Sequence, residues 1–169
     1  NIGGDIFTFI MKYENIEFYE ALQTLAERAG VELQTLDPQK QREFGVLYDI
    51  NEEAKRFFQD ELKKVPKVLE YLKGRGLEDQ TIETFELGYS PGGETLTKHL
   101  LDRGYDVHDI ERAGVSHKNS RGMYWDKFQR RIIFPIANSM GKVVAFTGRI
   151  TPEEETKGVD APKYLNSPE

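Results

Sequence analysis

The chain has 169 residues, 38% hydrophobic and 31% charged, with a formal net charge of −6. This is a globular composition with room for a core, sized for one moderate domain or two small ones. It contains no cysteine, which excludes disulfide frameworks and thiolate metal sites. It also lacks any run of about 18 apolar residues that would predict a transmembrane helix.

The segment GGDIFTFIMKY opens with two glycines and Asp5, an N-cap for a short helix through Tyr13. Phe18, Ala21, Leu22, Leu25, Ala26 and Ala29 recur at helical spacing, and Gly30 stops that helix. The stretch QTLDPQKQR, residues 34–42, is polar, contains Pro38 and reads as a linker. Leu47, Ile50, Ala54, Phe57, Phe58 and Leu62 then mark a longer amphipathic helix, and Pro66 suits the first position of the next. YLKGRGLEDQTIETFELG (71–88) and HLLDRGYDVHDIERAGV (99–115) share the punctuation Arg-Gly-apolar, with Gly76 and Gly104 suited to left-handed helix ends. From Gly122 the pattern turns to short β-rich runs: Met123–Trp125, Ile132–Ile136 and Val143–Phe146, the last two joined by a hairpin turn with Gly141 at positive φ. Helices followed by strands give an α+β fold: a helical N-terminal segment and helix-turn-helix units, then a small antiparallel sheet. TPEEETKGVDA reads as a polar, mobile loop whose Glu153-Glu154-Glu155 is a solvated face. The chain does not begin with Met and stops at SPE, so an excised fragment is expected, with no signal peptide or lipidation motif.

Charge is unevenly distributed. Residues 1–113 carry net −9, residues 114–150 net +6 and residues 151–169 net −3. The central basic block, with Lys127, Arg130 and Arg131 in WDKFQRRIIFPI, is a candidate phosphate-facing surface. His99, His108 and His117 are spaced nine apart and read as isolated surface histidines, because a zinc site needs closer pairs. There is no GxSxG, HExxH or P-loop pattern and no paired-acid two-metal site. Binding is better supported than catalysis. Arg149 ends the second hairpin strand, where a guanidinium suits bidentate phosphate contact. PKYLN adds the charge of Lys163, the stacking face of Tyr164 and the amide of Asn166. On these residues alone two readings stay open: a single-stranded nucleic-acid surface, or a solubilising rim on which Tyr164 merely packs.

In order, YLKGRGL, LGYSP, WDKFQRRIIFPI, GKVVAFTGR and PKYLNSPE resemble the bacterial replicative DNA primases of the DnaG type. The resemblance covers essentially the whole chain. It implies that residues 1–33 are the closing helices of a truncated zinc-binding domain, 34–44 a linker, and 45–169 the N-terminal subdomain of the RNA polymerase core. The Toprim subdomain, with its catalytic acids and Mg2+, would follow Glu169. No catalytic residue or metal ligand is then expected in this fragment, which should be inactive alone. The full-length protein would use Mg2+ and Zn2+. As DNA primase, a DNA-directed RNA polymerase and nucleotidyltransferase, it would make short RNA primers in the bacterial cytoplasm at the replisome. Implied partners are single-stranded DNA template, RNA–DNA heteroduplex, ribonucleoside triphosphates and, through an absent C-terminal domain, the replicative helicase. No membrane is implied. Carried over position by position, the DNA- or nucleotide-binding residues are Arg75, Lys127, Arg131, Arg149, Lys163, Tyr164 and Asn166. From its position alone, Arg75 could equally be a helix-end residue neutralising the last carbonyls. Gln129 stands where the family commonly has Arg, and Arg130 falls at a variable position. In a strand, Arg130 would point away from Arg131. A non-catalytic protein-interaction module, and a plasmid- or phage-encoded primase, are the competing readings.

Overall fold

The structure, a computed structural model, describes residues 5–14, 16, 18–31, 38–138, 140–158 and 161–167, the side chains of 38–44 excepted. Gly3 and Gly4, residues 32–33, residues 34–37 of the expected linker, Ser139 of the expected hairpin turn, and residues 159–160 lie outside the described residues.

Two short helices open the chain. In α1 (Ile6–Glu14) the Asp5 carboxylate accepts from the Thr8 N–H at 2.8 Å and the Thr8 hydroxyl at 2.9 Å. These bonds satisfy donors a helix start leaves unpaired and hold the Asp5 pKa below the usual carboxylate value. α2 (Phe18–Ala29) ends at Gly30, φ +65°. The pair buries Ile10, Ile16 and Ala21 and leaves Ile6, Phe9 and Tyr13 exposed.

α3 (Pro38–Lys63) is 26 residues long, so residues 38–44, expected as linker, are helical. Polarity and Pro38 suggested a break, but proline is tolerated where a helix begins because its missing N–H would be unpaired there anyway. Ile50, Ala54 and Phe58 recur every four residues and form one fully buried stripe. Lys55, also buried, pairs with Glu86 at 2.6 Å and Glu52 at 3.1 Å.

The helix-turn-helix units follow as α4 (Pro66–Gly74) with α5 (Asp79–Thr84), and α6 (Thr95–Asp102) with α7 (Val107–Arg112). Gly76 and Gly104 take φ +87° and +86°, as their positions predicted. The start of α6 is capped from a distance. Its N-cap residue, Glu94, provides no side-chain bond. Instead the buried Asp126 accepts from the Leu96 N–H (2.9 Å), the Thr97 N–H (2.9 Å) and the Thr97 hydroxyl (2.7 Å). Burial pushes the Asp126 pKa up, and these donors pull against it.

Among the described residues six strands complete the α+β fold: β1 (Gly88–Ser90), β2 (Ser116–Lys118), β3 (Tyr124–Asp126), β4 (Arg131–Ala137), β5 (Val143–Ile150) and β6 (Tyr164–Asn166). β2 and β3 form a separate two-stranded ribbon, and the main antiparallel sheet runs β1-β4-β5-β6. The expected hairpin joins β4 to β5, with Gly141 at φ +76°. One sheet face, with Ile133, Phe146 and Leu165, packs on α3, α6 and α7. The fit there is close: a Cβ on Gly88 would lie 2.4 Å from Phe58 Cβ and 2.8 Å from its carbonyl carbon. The opposite face carries Ile132 and Phe134, which pack with Val68 and Leu72 of α4 and Ile82 of α5.

The segment 151–158, expected as a mobile loop, contains a short helix, α8 (Pro152–Thr156). Glu154 is buried against Arg130 (3.0 Å) and Lys157 (2.8 Å), so the acidic triplet is not one solvated face. Among the described residues no helix is long and apolar enough to cross a membrane.

Candidate nucleic-acid interface

Register sets the site. Antiparallel pairing places Ile132 opposite Arg149 and Arg149 opposite Tyr164, while Phe134, Thr147 and Asn166 align two residues along. Directly paired residues and their i+2 neighbours share a face. Arg149, Thr147, Tyr164 and Asn166 therefore stand on the face that α4 and α5 cover at its β1–β4 side, with Tyr71 of α4 reaching Arg149 on β5. Tyr164 remains 56% exposed, available as a flat stacking surface.

Each side chain has its own support. The Arg149 guanidinium lies 5.2 Å from the Tyr71 ring centroid and donates to the Tyr71 hydroxyl, so α4 fixes its direction. Arg75 lies one turn beyond Tyr71, at the C-cap of α4. It is exposed, and its side chain has no hydrogen bond or ion pair among the described residues. The Asn166 Oδ1 accepts from the Thr147 hydroxyl at 2.9 Å, which leaves the amide N–H groups outward. Lys163 Nζ sits 3.0 Å from Glu155.

Arg131 departs from the expectation of an outward basic residue. It is 3% exposed. Its guanidinium donates to the carbonyls of Gly148 (3.0 Å), Pro162 (2.8 Å) and Lys163 (3.4 Å). Burial lowers its pKa, and among the described residues no carboxylate pairs with it. It sits on the α3 side of the sheet, opposite Ile150 and Ser90. Its role in the geometry is to clamp the start of PKYLN to β5. Gly148 makes room for it: a Cβ there would meet Phe128 Cδ1 at 2.5 Å and Arg131 Cδ at 3.0 Å.

Arg130 is not in the strand. It lies just before β4 at φ +50°, so strand alternation does not decide its direction; its bond to Glu154 does. Lys127 lies in the β3–β4 connection, its N–H donating to the Val115 carbonyl at 2.8 Å, and no contact links it to Arg149 or Lys163. Gln129 is a tie within the fold. Its side chain accepts from the Gly93 N–H at 2.6 Å and donates to the Asp126 carbonyl at 2.7 Å. His99, expected to be isolated, bonds Glu53 at 2.9 Å through Nε2 and Arg103 at 3.0 Å through Nδ1. Facing a guanidinium, Nδ1 must accept, so Nε2 carries the proton.

Tyr71 and Thr147 belong to this surface without any signal in the sequence, and Glu155, expected as part of a solvated acidic face, belongs to it as well. Tyr71 and Arg149 are 78 residues apart, and no local pattern links them. Among the described residues no three His, Cys, Asp or Glu side chains are grouped to hold a metal ion.

The fold and surface define a class: an α+β module that presents arginine, lysine, amide and an open aromatic ring along two adjacent strands, the chemistry of a nucleic-acid-facing surface. The family model for the N-terminal domain of the DNA primase catalytic core matches residues 57–169. The DNA primase of Deinococcus radiodurans is 37% identical over 169 residues, which cover 99% of this chain and 28% of that protein. The zinc-binding and RNA polymerase domains of Aquifex aeolicus primase superpose with a TM-score of 0.68 at 32% identity, covering 99% of this chain and 40% of that one. A DnaG primase catalytic domain bound to single-stranded DNA superposes with a TM-score of 0.66 at 32% identity, covering 76% of this chain and 41% of that one. The chain belongs to the DnaG-type bacterial DNA primases and carries the N-terminal domain of their catalytic core. It spans just over a quarter of the length of the curated relative.

Proposed function

We propose that this chain is the template-holding part of a bacterial DNA primase. The observation that carries the reading is the register that sets Arg149, Tyr164 and Asn166 on one sheet face, open at Tyr164 and Asn166 and partly covered by Tyr71 at Arg149, with Lys163 beside them. Arg149 and Lys163 neutralise backbone phosphates, Tyr164 stacks on a base, and the Asn166 amide hydrogen-bonds to sugar, base or phosphate. Arg75 extends the cationic track along α4. Arg131 acts at one remove, by holding the Pro162–Lys163 backbone that presents Lys163 and Tyr164. Lys127 is a secondary phosphate contact on the β3–β4 connection.

On this reading residues 1–33 close a zinc-binding domain, 34–44 connect it, and 45–169 form the first subdomain of the polymerase core. From Pro38 onward that connection is helical rather than a flexible tether. The whole protein would be a cytoplasmic DNA-directed RNA polymerase that joins ribonucleoside triphosphates into short primers at the replisome beside the replicative helicase. This surface would guide single-stranded template and RNA–DNA heteroduplex toward acids supplied by another part of the enzyme.

The test is fluorescence anisotropy with labelled single-stranded DNA over a salt series. Each phosphate neutralised on a single strand contributes about −0.7 to the slope of log K against log salt. The double variant Arg149→Ala/Lys163→Ala should bind more weakly and flatten the slope by about 1.4. Unchanged affinity and slope would refute the assignment.

A further inference from the structure

The three acids of α8 diverge. Successive helical residues point about 100° apart, and no two of them share the same set of partners. Glu153 meets Lys157 at 3.2 Å. Glu154 turns inward to Arg130 at 3.0 Å and Lys157 at 2.8 Å. Glu155 alone turns to the nucleic-acid face. Its Oε1 lies 3.0 Å from Lys163 Nζ and its Oε2 3.9 Å from Arg149 Nη2.

One carboxylate thus spans the two cations assigned to phosphate, with one oxygen toward each, as two oxygens of a phosphodiester would lie. The turn that carries it is anchored. Besides the Glu154 pairs, the Thr151 N–H donates to the Arg130 carbonyl at 3.4 Å and the Glu155 N–H to the Thr151 carbonyl at 3.0 Å. Glu155 is therefore delivered to the site by the fold. The contact is also easy to break: the side chains of Glu155 and Lys163 are 46% and 53% exposed, and water and salt weaken such pairs.

We propose that Glu155 is a built-in competitor for template phosphate, occupying the Arg149–Lys163 position in the free protein and giving way when a nucleic-acid backbone arrives. This rests on the template-holding function proposed above and adds to it a residue that limits affinity and eases release. The competition is purely electrostatic and involves no covalent step.

The experiment compares Glu155→Gln with Glu153→Gln in the same anisotropy assay with labelled single-stranded DNA. Both remove one negative charge from α8, but only the first frees Arg149 and Lys163. Glu155→Gln should tighten binding about three- to fivefold at low salt, the span of an exposed ion pair, and Glu153→Gln less than about 1.5-fold. Glu155→Ala should match Glu155→Gln, which guards against an effect of the amide itself. Equal gains in the Glu153 and Glu155 variants would overturn the proposal in favour of a general charge effect. If Glu155→Gln changes nothing while Arg149→Ala/Lys163→Ala weakens binding, the competitor role fails and the template surface stands. If the double variant has no effect, or no form of the chain binds DNA, the template surface fails and the competitor role with it.

Discussion

Replacing Arg131 with methionine separates two roles for a basic residue, contact with DNA and support of the residues that make it. Methionine keeps a long flexible stem and removes the guanidinium. The loss strips the donors from the Pro162 carbonyl at 2.8 Å and the Gly148 carbonyl at 3.0 Å. Bonds from a charged donor contribute about 1.5–3 kcal/mol each. Against this, the variant no longer buries a cation that lacks a carboxylate partner, which recovers part of the loss. A net destabilisation of about 2–3 kcal/mol is expected. At roughly 2–4 °C per kcal/mol for a chain of this size, Tm should fall by roughly 4–12 °C. Calorimetry or urea titration measures this, and anisotropy at a temperature where both proteins are folded measures DNA affinity. Arg131→Lys should restore little stability, because one ammonium cannot span two carbonyls as a planar fork does. Stability within about 0.5 kcal/mol of the parent, with DNA affinity lost in Arg131→Met and regained in Arg131→Lys, would refute the supporting role. Arg131 would then be a direct phosphate contact.

Gly148→Ala should destabilise by about 1–3 kcal/mol, because its Cβ would strike the buried Phe128 ring at 2.5 Å and the Arg131 stem at 3.0 Å; chemical denaturation reads the loss. Asp126→Asn keeps the shape but turns an NH2 toward donors at the start of α6, leaving a backbone N–H unmatched, at a cost of about 1–3 kcal/mol. Hydrogen exchange of the Leu96 and Thr97 amides should rise in that variant. Lys55 provides a pH test. Burial alone would lower its pKa, but Glu86 and Glu52 outweigh burial and raise it above 10.5. A group whose pKa is raised on folding stabilises fully below its unfolded value and loses that contribution as pH rises through the folded one. The stability gap between the parent and Lys55→Met should therefore hold from neutral pH to about pH 10 and narrow above it; a gap unchanged at about pH 11.5 would exclude the pairing as its source.

Much of the architecture was legible because it is local. Asp5, Gly30, Pro66, Gly76 and Gly104 act through the backbone within one turn, and each ends or begins the helix its chemistry predicts. The stripe Ile50–Ala54–Phe58 and the runs Ile132–Ile136 and Val143–Phe146 announce themselves by period. The strands β1, β2 and β6 did not, since three residues give no period to read and their existence depends on a neighbouring edge. Pro38 misled because proline marks both a break and a beginning, and only the residues on its C-terminal side decide which. In EEE, helical rotation and different partners split one motif into an exposed pair with Lys157, a buried bridge to Arg130 and a contact with Lys163.

The amino-acid order alone determined the α+β class, the basic block within an acidic chain, and the choice of Arg149, Lys163, Tyr164 and Asn166 as candidate binding residues. Those depend on composition, period and proximity along the chain. Only the tertiary structure decided which charges face outward. Arg130 and Arg131 are adjacent and alike in sequence, yet one pairs with Glu154 and the other is buried beneath Gly148. The physical reason is that a charged side chain's role is set by its desolvation and its partners, and both are fixed by residues 17 to 32 positions away rather than by its neighbours in sequence.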